Sequence, residues 1–194
     1  MGSSTEEIAK KFAKVVDGQK VFIPREKDSL MSIQKALLVE LEREKNNTLR
    51  ILNNLQNDKF DYKPHPKSMS MGELANHIVE LHNWVELALE RDTFDFHTDY
   101  KPSTYTTVEE LKTVLEDGYL RNKELIENLN EADYFNTWTL KAGEHVIVSL
   151  PKAGALRFII NNHLIHHRGQ LTVYMRLLDI PVPGIYGPSA DDKQ

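Results

Sequence analysis

The chain contains no cysteine in 194 residues. That absence excludes disulfides, cysteine–zinc sites, cysteine-held iron–sulfur clusters and cysteine nucleophiles. Any metal must therefore rest mainly on His, Asp or Glu. No apolar run approaches the roughly 18 residues that a membrane span needs, and Met1 to Phe12 is polar, without the apolar core of a secretory signal. A cytoplasmic protein is the default expectation, and Asn46-Asn47-Thr48 carries no meaning as a glycosylation sequon without a secretion signal. A basic surplus is lacking too. The net charge of −5 argues against a nucleic-acid surface, which draws on Lys and Arg gathered on one face. Glycine and proline are sparse, at 9 and 8 residues, while 40% hydrophobic and 27% charged content is ordinary for an ordered globular chain.

The length suits one domain with a sizeable core. Hydrophobic spacing divides the chain into an N-terminal appendage (residues 1–28), a main body (29–190) and a short tail (191–194). Ile8, Phe12, Val15 and Val16 lie on one side of a short helix predicted over 4–16, ended by Asp17-Gly18. A long helix is predicted over 30–56, with Ser29 as its cap. Ser70 with Glu73, and Thr107 with Glu110, have the capping-box spacing and open helices predicted over 70–91 and 107–129. The segment 92–106 reads as a loop. From Tyr134 to Leu150 the period changes to that of a β-hairpin turning at Lys141 to Glu144. A fourth helix follows Pro151 and runs to about Leu178. The fold class is thus all-α: a four-helix bundle with a small β-hairpin before the last helix and an N-terminal helical appendage.

The fourth helix carries the chemistry. Its apolar stripe is Leu156, Ile160, Leu171, Tyr174 and Leu178, and the gap in that stripe falls on His163 and His167. Two imidazoles at i,i+4 can hold one ion. With 8 histidines, about 0.3 such pairs arise by chance, so spacing alone decides nothing. Position says more, because two adjacent imidazoles among Leu and Ile cannot easily satisfy each other, and a shared cation resolves that. His77, between Leu74 and Ile78 on the second helix, is a third inward candidate. Three histidines with a vacant fourth position describe a catalytic rather than a structural site. The plainer alternative is a set of core histidines, each bonded to a carbonyl. His65, His82, His97 and His145 fall on polar or loop positions and read as surface residues. His166 lies beside the stripe, either solvent-facing or a base near the metal.

The segments Met71-Gly72-Glu73-Leu74-Ala75-Asn76-His77 and Asn162-His163-Leu164-Ile165-His166-His167-Arg168-Gly169-Gln170-Leu171 resemble the DinB/YfiT-like superfamily of damage-inducible-type proteins. Tyr62-Lys63-Pro64-His65-Pro66 and Pro183-Gly184-Ile185-Tyr186-Gly187-Pro188-Ser189 are similar to it as well, so the resemblance covers roughly residues 30–190. It implies a four-helix bundle and a divalent metal, often zinc or nickel, on His77, His163 and His167. Some members are thiol S-transferases using bacillithiol or related small thiols, others are thiol-dependent isomerases, and many have no assigned activity.

The leading expectation is a metal-dependent transferase that joins a low-molecular-weight thiol to a small electrophile. The ion's open position would lower the thiol's pKa. Lacking cysteine, the chain must take its sulfur from a cosubstrate. Candidate catalytic residues are His166 and Arg168; the arginine either holds an acidic group of the thiol or pairs with a carboxylate on a neighbouring helix. Gly169 is expected to let helices approach closely, and Gln170 to be structural or to bond a ligand or histidine. Trp84 and Tyr174 read as core aromatics by default, with lining the pocket as the alternative. Hydrolysis is one alternative, weakened because no Glu lies between His163 and His167; Glu73 and Glu80, one turn either side of His77, are the carboxylates to check. A non-catalytic metal or ligand-binding module is the other. Leftover apolar helix faces leave room for a homodimer.

Overall fold

Capping chemistry starts two of the long helices where the sequence places them. In the computed structural model, which describes residues 13–16, 19–22 and 32–192, the Ser70 side chain accepts from the Glu73 amide at 3.1 Å, and the Glu73 carboxylate accepts from the Ser70 amide at 2.6 Å. Thr107 and Glu110 repeat that reciprocal arrangement. Among the described residues the long helices are α1 (Ile33–Leu52), α2 (Met71–Glu90), α3 (Val108–Asn128) and α4 (Asn162–Leu177). No helix among them is long and apolar enough to cross a membrane.

The helix α2 packs against all three others. Its burial therefore extends round most of its circumference, taking in Asn76, Glu80 and His82 as well as Leu74, Ile78, Leu81 and Val85. Buried polar groups need partners, and these have them. Asn76 is bonded to the Gly72 and Tyr105 backbones, and His82 Nε2 lies 2.9 Å from Thr48 Oγ1 on α1. His82 is thus no surface residue, as its polar setting suggested. The face it shares with Asn83 and Glu86 turns partly toward α1 and α3. Burial pushes its pKa down to about 3, with the charges of Arg168 and Lys45 adding to the effect.

The mostly helical body carries a small three-stranded sheet, one strand more than the hairpin expected from the sequence. β4 (Thr137–Ala142) and β5 (His145–Pro151) form the expected antiparallel pair, with Gly143 in the turn at φ 62°, a conformation glycine adopts without strain. The strand β3 (Thr93–Asp95), inside the segment read as a loop, pairs in parallel with β4 at Phe94↔Leu140. Phe94 is fully buried there, with its ring centroid 5.0 Å from that of Trp84. A three-residue strand paired with residues more than forty positions away leaves no local periodicity to read.

The start of the chain is a separate compact unit, residues 1–32. Within it, β1 (Ala13–Val16) pairs antiparallel with β2 (Gln19–Phe22). The helix predicted over 4–16 is thus wrong at residues 13–16, and its remainder lies outside the described residues, as do Ser29 and the Asp17-Gly18 breaker. Val15, Val16, Val21 and Phe22 are strand-forming types, separated by a two-residue Asp-Gly that favours hairpins, and this outweighs the helical spacing.

Candidate metal centre

α4 is continuous with a preceding single α-turn (Lys152–Gly154) and a π-helical stretch (Ala155–Asn161). A π turn closes i→i+5 bonds and rotates the residues after it relative to a regular helix. The deepest burial runs through Ile160, Leu164, Arg168, Leu171 and Met175, sharing Ile160 and Leu171 with the predicted stripe but passing one position beyond His163 and His167. His163 and His167 therefore stand at the edge of the buried face, half-exposed, while His77 on α2 is buried. An edge position suits a site that a small molecule must reach.

The three rings converge. A ligating nitrogen from each of His77, His163 and His167 lies within 4.8 Å of the others. Ring centroids are 4.5 Å apart for His163 and His167, and 5.1 and 4.8 Å from His77 to each of them. The outer edge of each ring is held. His77 Nδ1 donates to Glu80 Oε2 at 3.1 Å, His167 Nδ1 to Gln170 Oε1 at 2.8 Å, and the His163 ring to the Ile159 carbonyl. A nitrogen that donates outward leaves the other with its lone pair facing inward.

Two such lone pairs, His163 Nε2 and His167 Nε2, face each other at 2.7 Å. Two acceptors this close need positive charge between them. A cation shared with His77 meets that need, and a donor set of three imidazoles fits zinc or nickel chemistry. Burial, and after it the neighbouring imidazoles of His167, His77 and His166, lower the pKa of His163 to about 4. Burial also lowers His167, with Gln170 acting in the opposite sense. Both rings are therefore neutral near pH 7, the state that binds metal.

Glu80 answers the question of a base. Burial pushes its pKa up, but hydrogen bonds from His77 and the Ser103 amide outweigh this and hold the carboxyl below the usual range. The carboxylate thus sits behind His77 as its orienting partner. Glu73 is occupied by the helix cap and by Lys63 at 3.2 Å. Of the two readings of Arg168, the structure has the paired one: its guanidinium is buried between α1 and α4, bonded to the Glu44 carboxylate, the Glu44 carbonyl, Thr48 Oγ1 and Tyr186 Oη. His166 is exposed, with its ring centroid 5.1 Å from that of His167. His65, His97 and His145 are exposed as well.

Gly169 does not serve close helix approach. It faces outward, and a Cβ added there would meet nothing within 4 Å. Gly169→Ala is therefore expected to stabilise the protein by about 0.5–1 kcal/mol through helix propensity, read as a rise in the urea midpoint at constant slope.

Three clefts open around the triad, each touching a different histidine. His77 borders one of about 430 Å³ with Lys63, Lys67, Glu73 and Ser103. His167 borders one of about 410 Å³ with Met69, Gln170, Val173 and Tyr174. His163 borders one of about 490 Å³ with Trp84, Phe96, Leu140 and Phe158. The Glu80–His77 link was legible as an i,i+3 spacing, but the Ile159 carbonyl and the clefts leave no signature in the sequence.

A family model described as the DinB family matches residues 31–194. An uncharacterized protein, YrdA of Bacillus subtilis, is 49% identical over 43 residues; the match spans 22% of this chain and only 25% of that relative's length. Among solved structures, the DinB-like protein YjoA of Bacillus subtilis is 20% identical, with a TM-score of 0.61, over 79% of this chain and 99% of that one. A DinB-like protein of Bacillus cereus is 22% identical, with a TM-score of 0.61, over 78% and 97%. At this identity the likeness shows the fold.

Proposed function

We propose that this protein, which belongs to the DinB family, is a metal-dependent thiol S-transferase that joins a small thiol to a small electrophile. The observation that carries the reading is the inward convergence of three imidazole nitrogens whose rings are held from outside by Glu80, Ile159 and Gln170. A divalent ion held there, zinc or nickel by its donor set, would supply the Lewis acidity that turns a thiol into a thiolate near neutral pH.

The chain's own residues do the rest. His77, His163 and His167 supply three ligand atoms and no fourth, leaving room on the cleft side for a ligand. Glu80 fixes the tautomer and direction of His77, and Gln170 does so for His167. No cysteine exists to donate sulfur, so the thiol comes from outside. His166, exposed beside the triad, is the residue placed to exchange a proton with solvent.

Hydrolysis is disfavoured on this geometry. It wants a free carboxylate to take a proton from water, and the nearby Glu80 is committed to His77, Ser103 and Tyr100.

The reading is tested by incubating the zinc- or nickel-loaded protein with a low-molecular-weight thiol and a chromogenic electrophile. Thiol conjugation above the uncatalysed rate is expected, falling to background in His163→Ala and in chelator-treated protein. Conjugation that is equal in wild type and His163→Ala would overturn it.

A further inference from the structure

We propose that the cleft beside His163 is a binding site for an uncharged aromatic group; resting on the thiol-transfer reading, it receives the aromatic part of the electrophile. The three clefts around the triad differ in chemistry. The one beside His77 carries Lys63, Lys67, Glu73 and Glu80. The clefts beside His163 and His167 carry no Lys, Arg, Asp or Glu, but the first is walled by Trp84, Phe96 and Phe158 whereas the second has the ring of Tyr174 alone. The walls of the first are Trp84, Phe96, Leu140, Phe158 and Ile159, and its polar atoms come from Asn162, His163 and His166. A charged group lodged against the aromatic wall would lose water and find no charged side chain to pair with, whereas an apolar ring loses little.

The volume of about 490 Å³ suits a small molecule. The aromatic wall is already ordered, with Trp84 and Phe96 centroids 6.0 Å apart at 62° and Trp84 and Phe94 centroids 5.0 Å apart. An incoming ring therefore meets edges and faces that need no rearrangement. Phe158, which also lines the cleft, is 64% exposed. Phe158 and Ile159 come from the π-helical stretch, and His163 follows one turn later, so the segment that sets the direction of His163 also builds the cleft wall. An exposed phenyl ring that does not serve the core, at the mouth of an uncharged cleft next to a candidate reaction centre, is explained by a ligand it covers.

The test is a fluorescence titration of the full chain, with no thiol present, using 4-nitrotoluene as probe and tryptophan emission as readout. Trp84 borders the cleft, whereas Trp138 is 2% exposed in the core. Saturable quenching is expected, with apparent affinity weakened at least fivefold by Phe158→Ser and unchanged by Val173→Ser, which alters the cleft beside His167. With 4-nitrobenzoate, the same ring bearing a charge, affinity is expected to fall at least tenfold in wild type. Quenching that rises linearly without saturation, equal effects of the two substitutions, or equal affinity for the two probes would overturn the assignment. Because the titration needs no turnover, Phe158-dependent binding in a protein that transfers no thiol would overturn the proposed function alone. Thiol transfer without such binding would overturn the cleft alone.

Discussion

Replacing Arg168 with alanine is expected to destabilise the protein by about 3–5 kcal/mol, the cost of leaving a buried charge without its partner. The Arg168 and Glu44 side chains are 3% and 6% exposed, so water cannot replace the missing guanidinium. Glu44 would retain one donor, Tyr186 Oη at 2.6 Å. Burial, and then the bond to Glu44, push the Tyr186 pKa up to about 12, so the phenol keeps its proton and donates it. One neutral hydrogen bond does not offset the lost charge pair. Glu44→Ala is expected to cost a similar amount. The double variant Arg168→Met with Glu44→Leu is expected to recover most of the loss, since an apolar pair removes both desolvated charges together. Urea denaturation of the three variants checks this. Single variants that each cost under about 1 kcal/mol, the range of exposed pairs, would show that water reaches the pair.

Acid is expected to destabilise the protein through His82. In the unfolded chain this histidine takes a proton near pH 6.5, while in the folded protein it stays neutral down to about pH 3. The folded pKa is the depressed one. Its contribution is therefore fully present above pH 6.5, is lost progressively as pH falls toward 3, and changes no further below that. Within the window the slope is about 1.4 kcal/mol per pH unit, the free-energy equivalent of one proton. His82→Gln keeps a polar group near Thr48 but does not titrate. Its stability is expected to vary less with pH between 6.5 and 4, the difference from wild type isolating this residue from the carboxylates that titrate in both. Parallel curves would mean that His82 is hydrated in the folded state.

Both residues show where sequence reading stops. Arg168 lies inside the His163-to-Leu171 motif, and nothing local distinguishes a ligand-binding arginine from one paired with Glu44 on another helix. His82 has polar neighbours, so its burial follows only from the central place of α2, a tertiary fact. By contrast, the starts of α2 and α3 were legible because capping boxes are local chemistry. So was the candidacy of His77, His163 and His167, from spacing and motif together. Their exact footing was not: between Ile160 and Leu171 the buried line runs through Leu164 and Arg168 and leaves His163 and His167 at its edge, while His77 is buried. The parallel strand at Phe94 and the strand pair at residues 13–22 were missed for opposite reasons. The first has too little pattern, and the second a short apolar spacing that fits two periods.

The central claim is that His77, His163 and His167 hold one divalent ion together. Its most direct test is the metal content of the purified protein, equilibrated with zinc or nickel and then dialysed, beside His77→Ala, His163→Ala and His167→Ala. One ion per chain in the wild type and a small fraction of that in each variant is the predicted result. A full complement of metal in any one of the three variants would contradict it.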